Sequence, residues 1–270
     1  MFDCRATEPE GMDHPEFRRI SAEQSFRFIG FVNRFLGGTR IVRRFVSSQI
    51  ARTPEDRILR ILDIGSGSCD IPISVCRWAE KKGHSIHFTC VENGRHAFRI
   101  GSEKVAGTNL PIEMIQDDIF NHFPEKAYDC AVGSMFFHHL SEAGILELVQ
   151  RLRAFVRTSL LINDLCRNVL GYFGCRLLVW PLPKCVEHDA LLSVRKSFKT
   201  AEMHELLGTI RDASIQVSHA PLFRIRAVVE FNPMENTPTI HGGTGAEKKG
   251  YPVCETCMPL TYGCRRIFFA

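Results

Sequence analysis

Three histidines stand where a proton can be moved. His138 and His139 close the run "SMFFHH", and His188 opens "HDALLSVRKSF". Imidazole exchanges a proton near neutral pH, so each is a candidate general base. The other reading of either paired histidine is a packed ring that hydrogen-bonds backbone. A second set is acidic. Asp63, Glu92 and Asp117-Asp118 each end an apolar run, where a carboxylate can accept from hydroxyl or amino groups. A third set is small: Gly65, Ser66 and Gly67 lie in "RILDIGSGSCDIPIS". Glycines take backbone angles closed to other residues and place no side chain in a ligand's way.

These residues need elements to position them. Apolar spacing predicts a helix through residues 16–36, and Gly37-Gly38 then separates a second from Thr39 to Ala51. A strand runs from Ile58 to Ile64. After the glycine turn, strands and helices alternate: "SIHFTCVE", a helix over "RHAFRIGSEKV", "IEMIQDD", "YDCAVGSMFF", an amphipathic helix over 141–157 capped by Ser141, and "SLLIND". A helix from about Thr200 to Ile210 and two late strands, "SIQVSHA" and "LFRIRAVVEF", complete the pattern. Alternation of this kind predicts an α/β fold, a Rossmann-like doubly wound and mostly parallel sheet with helices on both faces. We expect residues 1–57 to form an N-terminal helical cap and 58–230 the core. A lid insertion at about 165–199 should contain a polar turn over "VEHDALLSVRKSF" and lie over the carboxyl edge of the sheet. Residues 231–270 read as a poorly ordered tail. Met12 is an alternative start.

Composition narrows the function classes. The 270 residues suffice for one sizeable core, and a formal net charge of +4 is too small to imply nucleic acid. Seven arginines between Arg34 and Arg60 read as a solvated helix face. The eleven cysteines are scattered and odd in number, with no secretory signal before them, which predicts reduced thiols in a cytoplasmic protein. No stretch reaches the roughly 20 apolar residues of a membrane span, although "NVLGYFGCRLLVWPLP" could touch lipid or a greasy substrate. Cys254, Cys257, Cys264 and His241 lack the compact spacing of a structural zinc site, so no metal is expected.

A dinucleotide is one candidate ligand for the glycine turn, but a ligand without a phosphate fits it better. A dinucleotide fingerprint needs glycine at its sixth position, and here that position is Asp70, whose carboxylate repels a pyrophosphate. No Tyr-x3-Lys pair accompanies the turn. Glu92 can accept from both hydroxyls of a ribose, Asp117-Asp118 from an adenine amino group, and Asp63 can sit near an ammonium. A ribose, an adenine and an amino-acid head together describe S-adenosylmethionine. The plainer readings are a helix cap for Asp63 and a solvated strand-end acid for Glu92.

"ILDIGSGSCDIP", the acid at Glu92, "QDDIF", "YDCAVGSMFFHHL" and "LLINDL" resemble, in order and spacing, class I S-adenosylmethionine-dependent methyltransferases. The resemblance covers residues 12 to about 230. It is nearest to the small-molecule branch of ubiquinone/menaquinone C-methyltransferases. "NRFLGGTR", "FHHL", "INDLCRN" and "HDALLSVRKSF" also resemble the methyltransferases found beside type III polyketide synthases. The resemblance implies that Asp63, Gly65, Ser66 and Gly67 line the methionine end and that Glu92, followed by Asn93, holds the ribose. It implies that Asp117 and Asp118 meet the adenine with the Ile119 amide beside the ring, and that Ser134 and Met135 face the reacting centre. Cys69 departs from the family pattern, which has a third glycine there.

The insertion is apolar, with Leu170, Tyr172, Phe173, Leu177, Leu178 and Trp180. A lid of that composition suits a small hydrophobic or aromatic acceptor, methylated on oxygen or carbon. It could equally be packing or a homodimer face. Asn163 and Asp164 could orient the acceptor and Arg195 hold an anionic group. No nucleic-acid partner is expected. The alternatives are an RNA methyltransferase that uses the arginine-rich segment as a phosphate track, and a non-catalytic S-adenosylmethionine-binding protein.

Overall fold

The computed structural model describes residues 2–13 and 18–232. The expectations for the tail, including its cysteines, lie outside them. Seven strands form one sheet in the order β3-β2-β1-β4-β5-β7-β6. The strands are β1 (Leu59–Ile64), β2 (Ile86–Glu92), β3 (Ile112–Gln116), β4 (Tyr128–Ser134), β5 (Val156–Leu165), β6 (Ala213–Ala220) and β7 (Arg224–Phe231). The first five are parallel, and β7 joins β5 and β6 antiparallel. The order reverses between β1 and β4, the place where such sheets bind ligands beyond their carboxyl ends.

The helices are α1 (Arg19–Phe35), α2 (Gly38–Ile50), α3 (Asp70–Lys81), α4 (Arg95–Ala106), α5 (Glu142–Leu152), α6 (Val169–Val179), α7 (Lys184–Lys196) and α8 (Thr200–Gly208). Central strands alternate their side chains between two layers. Leu62, Leu160 and Ile162 pack with Ile145, Leu148 and Met203 on one face. Ile61 and Leu161 pack with Val42, Phe45 and Val75 on the other. Edge strand β6 alternates partly buried and exposed positions instead.

Local chemistry explains several boundaries. Ser141 Oγ accepts from the Gly144 amide at 3.1 Å and caps α5. The Asn168 side chain caps α6 through the Leu170 and Gly171 amides. β4 stops at Ser134 because Met135 turns to φ +57°. Two expectations are corrected. α5 ends at Leu152, and Val156 begins β5, so Phe155 and Val156 are not on its face. The stretch 186–198, read as a polar turn, lies in α7 up to Lys196. Its buried positions include Asp189, Ser193 and Lys196. Those polar groups bind the N-terminal strap, so no apolar period marks the helix.

Candidate active site

The parallel register sets the strand-end residues side by side. Glu92 pairs with Gln116 across β2 and β3, Ile64 with Val91 and Gly133, and Ser134 with Asn163. Asp63, Glu92, Asp117, Ser134 and Asn163 therefore share one edge. Asp63 is buried, and that burial pushes its carboxyl up to about 7. A carboxylate held out of water in this way is stabilised by a cation placed next to it.

The turn after β1 wraps a narrow space. Gly65, Gly67 and Cys69 have φ of +63°, +55° and +59°. Cys69 thus adopts a backbone conformation usual for glycine, fully buried with Sγ 3.0 Å from Met114 Sδ. A Cβ on Gly65 would lie 2.4 Å from the Phe136 ring, and one on Gly67 would lie 3.1 Å from Phe26 of α1. Glu92 accepts from the Gly67 and Gly94 amides, each at 2.7 Å. A carboxylate has about four lone-pair directions, so amides and hydroxyls can share it. Asp70 is neutralised by Lys104 at 2.8 Å. Asp118 Oδ1 accepts from the Phe120 amide at 3.0 Å, and Asp117 Oδ1 accepts from the Asp118 amide at 2.8 Å. These bonds shape the turn that presents buried Ile119. Ser66 Oγ donates to the Asp63 carbonyl at 3.0 Å, and Asn93 is exposed at the end of β2.

A second cluster lies beyond β4 and β5. His138 sits in a single helical turn, Phe137–His139. Its Nδ1 is 2.7 Å from Asp164 Oδ1, and its backbone amide donates to Asp164 Oδ2 at 2.9 Å. Its Nε2 is 3.6 Å from Glu10 Oε1. Burial alone would lower this imidazole, but Asp164 and then Glu10 hold it up at about 9. Glu10 also accepts from Ser193 Oγ at 2.9 Å and lies 3.6 Å from Lys196 Nζ. Lys196 Nζ is 3.4 Å from His139 Nδ1, and the two histidine rings are 4.3 Å apart. His138, Glu10, Asp164 and Lys196 are all buried, whereas His139 is half-buried.

Glu10 arrives on a strap formed by residues 2–12. Arg5 donates to the carbonyls of Lys196, His138 and Leu140 and lies over the Phe198 ring at 3.6 Å. The Gly11 and Met12 amides donate to Asp189. Sequence reasoning missed Glu10 because nothing in "ATEPEG" signals burial. Lys196 escaped for the same reason as α7.

Arg224 forms the floor. Fully buried, it donates through Nε to the Leu36 carbonyl at 3.1 Å, through Nη2 to Asn33 Oδ1 at 3.1 Å, and through Nη1 to Asn163 Oδ1 at 3.5 Å. Asn163 Nδ2 in turn donates to Ser134 Oγ at 2.7 Å. Burial lowers this guanidinium to about 10. Arginine is rarely buried, and nothing in "RIRAVVEF" separates Arg224 from Arg226, which is half-buried.

The structure brings His138 and His139 together with Asp164 but leaves His188 apart. His188 is 68% exposed on α7, its Nδ1 3.2 Å from Asp189. Arg195 lies 3.6 Å from Glu8 of the strap. Ligand atoms of Glu10, His138 and His139 lie within 4.8 Å of one another, a spacing that could hold a metal ion. Yet Lys196 already supplies a cation there. With a protonated His138 it balances Glu10 and Asp164, so a divalent ion would have to displace positive charge.

By sequence, the chain matches no family model and no curated protein. Its fold is shared with solved structures. The plantazolicin methyltransferase BpumL in complex with SAH superposes with a TM-score of 0.61 at 18% identity, covering 82% of this chain and 92% of that one. The plantazolicin methyltransferase BamL, with SAH and a triazolic desmethylPZN analog, gives 0.56 at 15% identity, covering 79% and 95%. Magnesium protoporphyrin IX methyltransferase from Synechocystis PCC 6803 with SAH gives 0.51 at 13%, covering 73% and 84%. The chain therefore shares the Rossmann-like, mostly parallel fold of these structures.

Proposed function

We propose that this chain is an S-adenosylmethionine-dependent methyltransferase whose acceptor is a small hydrophobic compound of phenolic, quinol or polyketide-like type. The observation that carries the reading is the shared edge of Asp63, the Gly65–Gly67 turn and Glu92. There a desolvated carboxylate, a turn whose two glycines take positive φ and an amide-held carboxylate stand together. These residues fit the cofactor's ammonium, its methionine chain and its ribose. Ser66 belongs to the same turn, and Asn93 follows the ribose acid. Asp117, Asp118 and Ile119 would hold the adenine, with Ser134 and Met135 toward the reacting centre. The shared fold supports the reading, as do the motifs resembling quinone C-methyltransferases and the methyltransferases beside type III polyketide synthases.

When bound, the cofactor supplies an electrophilic methyl group. The chain's own task is to orient the acceptor, exclude water and take its proton. Of the three histidines, His139 is best placed to do so, because its ring is half-buried at the cluster whereas His138 is buried between two carboxylates and His188 stands apart on α7. His138 is a positioning residue, locked between Asp164 and Glu10. The Lys196 ammonium favours an oxyanion or enolate on the acceptor as the proton leaves.

Incubation with methyl-labelled S-adenosylmethionine and a panel of phenols, quinols, alkylresorcinols, azole-bearing peptides and RNA tests the reading. Label should enter a hydrophobic aromatic acceptor, and His139→Ala should slow transfer by about a hundredfold. Label entering RNA alone, or no acceptor at all, would overturn it.

A further inference from the structure

α6 is apolar almost all round, "VLGYFGCRLLV", yet only Gly171 and Val179 are buried. A helix with that composition is normally enclosed by protein or lipid. Instead, Leu170, Phe173 and Leu177 are exposed, and Trp180, just past its end, is 75% exposed. The face continues onto α1, where Phe31 and Phe35 are exposed with rings 4.9 Å apart. A cavity of about 400 Å³ joins the two parts, lined by Phe28 and Phe31 from α1 and by Leu178, Leu182 and Val186 from the α6–α7 region.

Cations border this face. Arg27 and Arg34 project from α1, Arg176 from α6 and Lys184 from the start of α7, all exposed. The neighbouring carboxylates are engaged: Glu23 by Arg19 at 3.0 Å and Glu187 by Lys184 at 2.6 Å. Arg27, Arg34 and Arg176 therefore leave the surface positive. A second copy is a poor occupant, since a two-fold contact brings the same positive patch to both sides of the seam. An anionic bilayer suits both features: apolar side chains enter the acyl boundary, arginines meet lipid phosphates, and Trp180 sits at the headgroup level.

We propose that the exposed face of α6, extended by Phe31 and Phe35 of α1, docks on an anionic lipid surface with α6 lying in the headgroup plane. The cavity shared by α1 and α7 then takes an apolar acceptor directly from the bilayer. That last step rests on the proposed function, whereas the docking does not.

Flotation of the full chain with vesicles of phosphatidylcholine, with and without phosphatidylglycerol, tests the docking. Binding should require phosphatidylglycerol, weaken with salt, and shift Trp180 fluorescence to the blue. Phe173→Ser with Leu177→Ser should weaken it by about tenfold or more. Arg27→Glu with Arg176→Glu should weaken it by about twentyfold or more. Both pairs lie on the exposed surface, and unchanged circular dichroism would confirm folding. Three results would overturn the proposal: no binding to phosphatidylglycerol vesicles, binding that neither double variant alters, or a dimer by light scattering that Phe173→Ser with Leu177→Ser converts to monomer. Binding of S-adenosylhomocysteine, retained in variants that no longer float, would separate docking from the cofactor site.

Discussion

Asp164 holds His138 twice, through the ring Nδ1 at 2.7 Å and through the backbone amide at 2.9 Å. The end of β5 thereby fixes the turn after β4 and, through His138, the Glu10 carboxylate of the strap. Asp164→Ala would remove the nearer of the two counter-charges of a buried imidazole, leaving Glu10 at 3.6 Å. It should cost about 3–5 kcal/mol in urea unfolding, the range for breaking a buried pair. A loss below about 1 kcal/mol would show that the pair does not hold the site.

The same cluster sets a pH window. His138 is raised to about 9 from 6.5, so its contribution is complete below 6.5 and is lost as pH rises through 9. For Glu10, burial acts upward, but His138, His139 and Lys196 prevail and hold it down at about 2, below its ordinary 4.5. Its contribution is present above 4.5 and is lost as pH falls toward 2. Melting temperature should decline on both sides, and His138→Gln should flatten the alkaline limb. An alkaline limb identical in that variant would assign it to other groups.

The strap should matter to the acceptor more than to the cofactor. Its polar contacts include the carbonyls of His138, Leu140 and Lys196 and the side chains of Asp189 and Ser193, beside the histidine cluster. A chain beginning at Met12 loses Glu10 and Arg5. It should bind S-adenosylhomocysteine within a few-fold of the parent yet transfer methyl groups about a hundredfold more slowly. Transfer at the parental rate by a folded, truncated chain would exclude the strap from the acceptor site.

Asp63 links cofactor affinity to pH. Its carboxyl is pushed up to about 7 by burial and must ionise to meet an ammonium. Below that value, affinity should fall about tenfold per pH unit, and Asp63→Asn should remove the slope. Calorimetry across this range checks it, and a flat profile in the parent would place the ammonium elsewhere.

Most of the fold was legible because central parallel strands read as near-continuous apolar runs, "RILDI" and "SLLIND" among them. The strand-end acids and the glycine turn followed from those runs. α7 was not legible, because its buried face carries Asp189, Ser193 and Lys196 in place of an apolar period. Glu10 was not legible because its burial depends on side chains more than a hundred residues away in the chain. Arg224 was not legible because its strand also carries Arg226 and Glu230, and its partners Asn33 and Asn163 come from elements that the fold alone brings together.

Calorimetric titration of S-adenosylhomocysteine into the parent chain and into Glu92→Ala tests the central claim most directly. The parent should bind one equivalent. The variant should bind more weakly by about 1.5–3 kcal/mol, the range for hydrogen bonds to a charged group. No saturable binding by the folded parent, or an unchanged dissociation constant in Glu92→Ala, would contradict the account.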